Sequence, residues 1–424
     1  MLAVFLGSLF IALIIGIPIA LGLIFSSIAM MFAMDMFDSQ IIAQNLINGM
    51  NNFSLMAIPF FILAGELINR GGISHVIVNF AMAIVGHIRG GLGFVAIIAS
   101  IIFAGISGSA IAEVAALGAI LIPMMAASGY SKKHSTGLVA ASGIIGTVIP
   151  PSIPLIIFGV TSGISITKLF IGGIVPGILM ALGLAIAWLL VSRKYQQELP
   201  PRKSTKEILL AFKDAIWALL LPVIILVGLR GGIFTPTEAG VVVAFYSFLV
   251  GLFVYRQLNI KTIYESLVSA AKTTSVVLFI IAASTVSAWL ITVANVPRDA
   301  INLLEPFLEN PILLMLVINI LLLLVGMVMD IIPAILIFTP VLLPITTLAG
   351  IDPIYFGIIL VINLSIGLIT PPVGTVLYVA GGISNQGIID VVKGIMPFLI
   401  THLIILILLT LFPQIITIPV ELFG

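Results

Sequence analysis

The stretches Leu179 to Val191, Val276 to Ile291 and Ile312 to Val328 contain no charged residue. About 20 apolar residues cross a hydrocarbon core roughly 30 Å thick, and further runs of this kind give on the order of ten crossings. In hydrocarbon each backbone amide must be satisfied within its own segment or a closed barrel, so long apolar runs can fold only as helices. Composition agrees: apolar residues make up 61% of the 424 positions and charged residues 8%, against roughly 45–50% and about 25% in soluble domains. Met1 leads straight into an apolar stretch with no basic n-region and no small-residue cleavage site, so the first segment is expected to stay in the fold. Met1 to Phe32 is either one kinked crossing or two short ones split at Gly16-Ile-Pro18.

Other classes are excluded by what is missing. The chain has no cysteine and only four histidines, His75, His87, His134 and His402, at spacings that match no metal motif. A net charge of +1 without a basic, aromatic-interleaved surface argues against nucleic acid. No Ser/His, paired-Asp or zinc pattern lies at membrane depth, which argues against an intramembrane enzyme. The dense basic stretch from Arg193 to Lys213, with Pro200 and Pro201 inside it, is expected to be a cytoplasmic linker under the positive-inside rule.

Punctuating residues recur 221 positions apart. Gly105 pairs with Gly326, Pro123 with Pro344, Gly129 with Gly350, Gly146 with Gly367, Pro150 and Pro151 with Pro371 and Pro372, Gly173 with Gly394, and Pro176 with Pro397. Gln40, Gln44, Asn48 and Asn51 fall opposite Lys261, Glu265, Ser269 and Lys272 at the same spacing, each set marking one helix face. Pro18 and Gly22 match Pro236 and Gly240. Equivalent loops carry opposite charge: His87, Arg89, Lys132, Lys133 and His134 around the first segment, Glu305, Glu309 and Asp352 around its partner. The halves are therefore expected to be inverted, an arrangement characteristic of secondary transporters. The predicted division is a first repeat 1–192 (scaffold and arm helices 1–90, hairpin and broken helix 91–192), the linker 193–213, and a second repeat 214–424 (214–310 and 311–424).

Two kinds of break should hold the site. In residues 93–129 a Gly/Ser-rich interruption at Ala104 to Ala110 leaves a first arm of about 12 residues, only about 18 Å long. The segment is expected to enter, turn and leave on one side, and residues 312–350 to do the same from the other, with a break from Gly326 to Pro333. Each hairpin is followed by a double proline, Pro150-Pro151 or Pro371-Pro372, which must open its helix and free carbonyls. Such backbone is tolerated only where it is buried or lines a cavity. Together with Ser and Thr hydroxyls it suits a small alkali cation, while the exposed helix N-termini attract carboxylate. A proline kink repaired by its neighbours is the competing reading. Glu113 and Asp330 lie at membrane depth, where the default reading is functional; the alternative is capping of a hairpin helix, favoured for Glu113 and even for Asp330. Glu66, Glu238 and Arg230 are given interfacial roles.

The segments FAGISGSAIAEVAALG from Phe103, GTVIPPSIPLIIFG from Gly146 and GLITPPVGTVLYV from Gly367 resemble those of the large membrane subunit of tripartite ATP-independent periplasmic (TRAP) transporters. The resemblance covers essentially the whole chain. It implies an all-α polytopic membrane protein of the bacterial inner membrane with two inverted repeats, two re-entrant hairpins and two discontinuous helices, in an elevator-type ion-transporter fold. It implies Na⁺ as the transported coupling ion, a periplasmic substrate-binding protein, and a small four-helix membrane subunit expected as a separate chain. Carried over, the first Na⁺ site comprises Ser107, Ser109, Gly146, Val148 and Pro150, and the second Gly326, Gly367 and Thr370. Substrate contacts fall to Ser109, Ser152, Asp330 and Thr375. The family's substrates are mostly carboxylates, among them C4-dicarboxylates and sialic acids; the sialic-acid branch is the one favoured, although no residue decides between them. A self-sufficient Na⁺/dicarboxylate symporter and a channel remain as alternatives.

Overall fold

A computed structural model describes residues 1–195, 201–296, 298, 301 and 304–423. Among them are nineteen helices and no strand, as hydrocarbon demands. Eight helices, counting a short 3₁₀ or π turn with its neighbour where the two are continuous, are long and apolar enough to cross a membrane; the other apolar helices run to 17 residues at most.

The chain opens with α1 (Leu2–Ile14) and α2 (Ile19–Ala33), separated at Gly16, whose φ is +88°. A Cβ on Gly22 would sit 3.5 Å from that of Ala12, so the two helices fold back on each other. The N-terminal stretch is thus two short helices. α3 (Ser39–Met50) and α4 (Ala57–Arg70) are split at Asn51-Asn52, and α5 (Ile73–Val85) follows. Then come α6 (Gly91–Ser107), α7 (Ala110–Ala127), α8 (Lys132–Gly143), α9 (Ile153–Ser162) and α10 (Ile166–Ser192). The second part begins with α11 (Thr205–Arg230) and α12 (Pro236–Leu249), each opened by a capping box, Ser204 with Glu207 and Thr235 with Glu238. Of the linker expected at 193–213, residues 196–200 lie outside the described residues, and α11 already starts at Thr205.

α13 (Ile260–Val293) is one helix of 34 residues where the first part has α3, a break and α4. The run α6 to α10 then recurs as α14 (Pro311–Gly326), α15 (Ile331–Leu348), α16 (Pro353–Gly367), α17 (Thr375–Ser384) and α18 (Ile388–Leu411), followed by α19 (Gln414–Phe423). Packing between the two runs is reciprocal: α17 lies on α7, and α9 lies on α15. Around them α4 packs on α12 and on α13, and α3 on α13, with α4 tied to α13 by Arg70, which reaches Glu265 at 2.5 Å, and by Ser269, which donates to Glu66 at 2.8 Å. Glu66 therefore belongs to a structural clamp, Glu238 to a helix cap, and Arg230 stacks over Phe423 at 5.0 Å.

The first hairpin arm is longer than its sequence suggests. This arm, α6, has 17 residues, about 26 Å, because it begins directly after the left-handed Gly90 and runs through Gly105. Its turn nevertheless lies deep: a Cβ on Gly105 would come 2.7 Å from the ring of Pro222, midway along the apolar part of α11. Burial of the turn, more than shortness of the arm, keeps it inside the protein.

Candidate functional site: two interrupted helices and two hairpin turns

In the first half, α6 ends at Ser107, Gly108 turns the chain with φ +62°, and Ser109 caps α7. Gly108 is required twice over, by its left-handed backbone and by contact, since a Cβ would lie 2.6 Å from the carbonyl of Pro151 and 3.2 Å from the amide of Ile153. The hairpin turn thus rests on the interruption between α8 and α9. That interruption consists of a 3₁₀ turn, Ile144–Thr147, followed by a cis Pro150-Pro151 bond and the cap Ser152.

The second half repeats this design. α14 ends at Gly326, Asp330 caps α15, and α16 stops at Gly367 before the cis Pro371-Pro372 bond and the left-handed Gly374. Gly326 and Gly367 touch backbone to backbone, a Cβ on Gly326 falling 3.1 Å from Cα of Gly367. Val373 donates its amide to the Met327 carbonyl at 3.2 Å. The two interruptions meet each other at a buried hydroxyl pair, Thr147 Oγ1 and Ser365 Oγ, 2.6 Å apart.

The residues expected for the first cation site are partly brought together. Ser107 and Ser109 flank the hairpin turn, the turn sits against Pro151, and Pro150 lies beside Gly105. Gly146 faces Glu113 instead, and the Val148 carbonyl lies against Gly173 of α10, where a side chain would overlap it. In the second set Gly326 and Gly367 are in contact, and the hydroxyl of Thr370, three residues on, donates to Ile366 O at 2.6 Å. Not all carbonyls in the breaks are free: Thr370 N–H reaches Gly367 O at 3.0 Å, and Val376 N–H reaches Leu368 O at 3.1 Å. A carbonyl has two lone pairs, so each oxygen retains one for an ion.

The four residues expected to touch substrate share one placement. Ser109, Ser152 and Asp330 are the caps of α7, α9 and α15, and Thr375 is the first residue of α17, its buried hydroxyl without a partner among the described residues. Four helix N-termini, with the positive ends of their dipoles, therefore lie around the two interruptions. Asp330 does cap its helix, accepting from Ile331 N–H at 2.8 Å. Glu113 does not: it is fully buried and neither oxygen has a partner among the described residues.

Sequence reasoning missed the polar clasps that bind each hairpin to its interrupted helix. Ser100 of α6 donates to Ser142 of α8 at 2.9 Å. At the position equivalent to Ser142, Asn363 of α16 donates to Asn319 of α14, to the carbonyl at 3.0 Å and the side chain at 2.9 Å, and Asn319 donates on to Thr410 at 2.8 Å. The 221-residue spacing of Ser142 and Asn363 was the available signal, but their types differ.

An all-helical, multi-pass chain with paired interruptions buried at its centre is a membrane transporter of the broken-helix kind. The Alcanivorax borkumensis YdaH transporter has this fold, matching at a TM-score of 0.66 over 91% of each chain at 15% identity. The chain belongs to the tripartite ATP-independent periplasmic transporter family as a DctM component, the family model matching residues 6–415. It is 54% identical to a Haemophilus influenzae protein assigned as a TRAP transporter large permease, over 94% of this chain and 99% of that one. It is 49% identical to the 2,3-diketo-L-gulonate TRAP transporter large permease protein of Escherichia coli, over 99% and 98%. It is accordingly a multi-pass protein of the bacterial inner membrane and a transporter component.

Proposed function

We propose that this chain is the transport subunit of a Na⁺-coupled importer of an organic carboxylate, fed by a periplasmic binding protein and held in the membrane with a small four-helix subunit. The observation that carries it is the meeting of two interrupted helices at Thr147 and Ser365, with a hairpin turn seated on each break. Carbonyl and hydroxyl oxygens there are hard ligands of the type small cations take. Beside them the N-termini of α7, α9, α15 and α17 offer amide donors to a carboxylate. Cation and anion are thus bound within one buried unit, so each raises the affinity for the other.

The halves are inverted in this reading, as their opposite loop charges support. The hairpins, clasped to their interrupted helices through Ser100–Ser142 and Asn319–Asn363, move as one body against α1 to α5 and α11 to α13. Ions and substrate are carried across by that movement, and no bond is made or broken. The E. coli relative is named for a sugar acid, which supports the carboxylate class.

Reconstitution in liposomes with the two partners tests this. Uptake of a carboxylate panel (2,3-diketo-L-gulonate, sialic acid, C4-dicarboxylates) should require inward Na⁺ and binding protein together. Full uptake driven by protons alone removes the Na⁺ claim. Uptake of free substrate without binding protein marks a self-sufficient symporter, and conductance without saturation marks a channel. Ser107→Ala and Thr370→Ala should each raise the Na⁺ concentration needed for half-maximal uptake.

A further inference from the structure

Glu113, in the first turn of α7, is 0% exposed, and neither of its oxygens makes a well-formed hydrogen bond among the described residues, although the Ser100 hydroxyl lies alongside. The elements packed on this stretch are α5, α6, α8, the 3₁₀ turn 144–147 and α17. α6 and the 3₁₀ turn carry no ionisable side chain. Those of α8 (Lys132, Lys133, His134) lie at its far end, α5 carries His75, and α17 carries the exposed Tyr378. Among the described residues no cationic side chain pairs with this carboxylate. A buried charge left alone costs several kcal/mol, so something positive must accompany it.

The neighbouring hydroxyls are arranged for that. Ser100 lies alongside Glu113 and also 2.9 Å from Ser142, whose own proton goes to Val139 O at 3.1 Å. The single Ser100 proton can face the carboxylate or Ser142 but not both. Given to Ser142, it leaves the Ser100 lone pairs on the carboxylate side, and a cation between the two oxygens then satisfies both. On the other side Gly146 closes the space, since a methyl group there would overlap Oε2, which leaves the Ser100 side for the ion. The second half has no counterpart: Ala334 stands at the position equivalent to Glu113, and the polar cluster there is built of neutral Asn319, Asn363 and Thr410.

We propose that Glu113, with the hydroxyl oxygens of Ser100 and Ser142, forms an additional monovalent-cation site, filled by Na⁺, in the first half only. One carboxylate neutralises one monovalent ion, whereas a divalent ion would leave net positive charge in a dry interior. Hard oxygen ligands select an alkali cation over softer metals. The site rests on the reading above only in that the chain binds Na⁺; its ligands differ from the two sets of residues placed at the interruptions, although Gly146 of the first set packs against Oε2.

The test is the number of Na⁺ bound per full-length chain, by equilibrium dialysis with ²²Na⁺ in choline-balanced buffer. Glu113→Gln should bind one Na⁺ fewer than the wild type, while the Ser107→Ala/Thr370→Ala double variant should retain the ion that Glu113→Gln loses. Equal counts and affinities in wild type and Glu113→Gln overturn the site, and are the result expected if a proton occupies it; Na⁺ binding at the other sites would stand. No Na⁺ bound by the wild type overturns both this site and the Na⁺ coupling above. Should Glu113→Gln fail to fold, Ser100→Ala carries the test: one ion should bind several-fold more weakly, and an unchanged isotherm overturns the proposal.

Discussion

Thr147 Oγ1 and Ser365 Oγ lie 2.6 Å apart in the interior, joining the two interrupted helices to each other. Each hydroxyl also has a carbonyl of its own helix at 2.6 Å, Ile144 O for Thr147 and Val361 O for Ser365. One of the two must therefore accept while the other donates. Removing either leaves the survivor with its own carbonyl, so the loss should be small. Thr147→Val and Ser365→Ala should each cost about 1 kcal/mol, read as a lower melting temperature, and the double variant should cost less than their sum. Strict additivity would show that the pair does not couple the breaks.

The contact between Gly326 and Gly367 leaves no room for a side chain. Gly367→Ala would bring a Cβ to 2.5 Å from Gly326 Cα, inside van der Waals contact and against backbone that cannot rotate away. It should destabilise by about 1–3 kcal/mol and abolish uptake. Gly7→Ala, with nothing within 4 Å of the new Cβ, should leave both nearly unchanged. Normal uptake by Gly367→Ala would mean that the two backbones separate in the working protein.

The second clasp should be more sensitive than its size suggests. Asn363→Ala strands the side-chain oxygen of buried Asn319, at about 1–3 kcal/mol, and Thr410→Val, which removes one acceptor, should fall near the lower end. Thermal unfolding of the two variants side by side checks the order.

His134 gives a pH dependence. Burial holds its imidazole below the usual 6.5, and the positive charges of Lys194 and Lys133 push it the same way. Its Nδ1 meets the Tyr195 hydroxyl at 2.7 Å. Because the folded protein takes up this proton less readily than the unfolded chain, the contribution is complete above pH about 6.5 and is lost as pH falls toward the folded-state value. Melting temperatures from pH 8 to 5 should decline less in His134→Gln than in the wild type. Parallel curves would exclude His134 as the source.

Helical class, the multi-pass arrangement and the positions of both double prolines were legible in the chain, because hydrocarbon permits only self-satisfied helices and proline cannot hide its missing amide. The 221-residue spacing likewise pointed to the hairpin turns at Gly105 to Ser109 and Gly326 to Asp330. The length of α6 was not legible, since Gly91, Gly93 and Gly105 look like breaks in sequence but are accommodated inside the helix. Nor was the difference between Asp330 and Glu113. Both are carboxylates near the start of a hairpin helix, yet the first reaches the amide next to it while the second is directed into the packing against Gly146.

What the sequence determined by itself is whatever local chemistry and solvent dictate: which segments are helices, where they must open, and that one unit occurs twice. Only the tertiary structure decided which openings touch. The Thr147–Ser365 pair, the Gly326–Gly367 contact and the solitary burial of Glu113 join residues 33 to 218 positions apart. They depend on how the helices pack across the two halves, and no local preference carries that information.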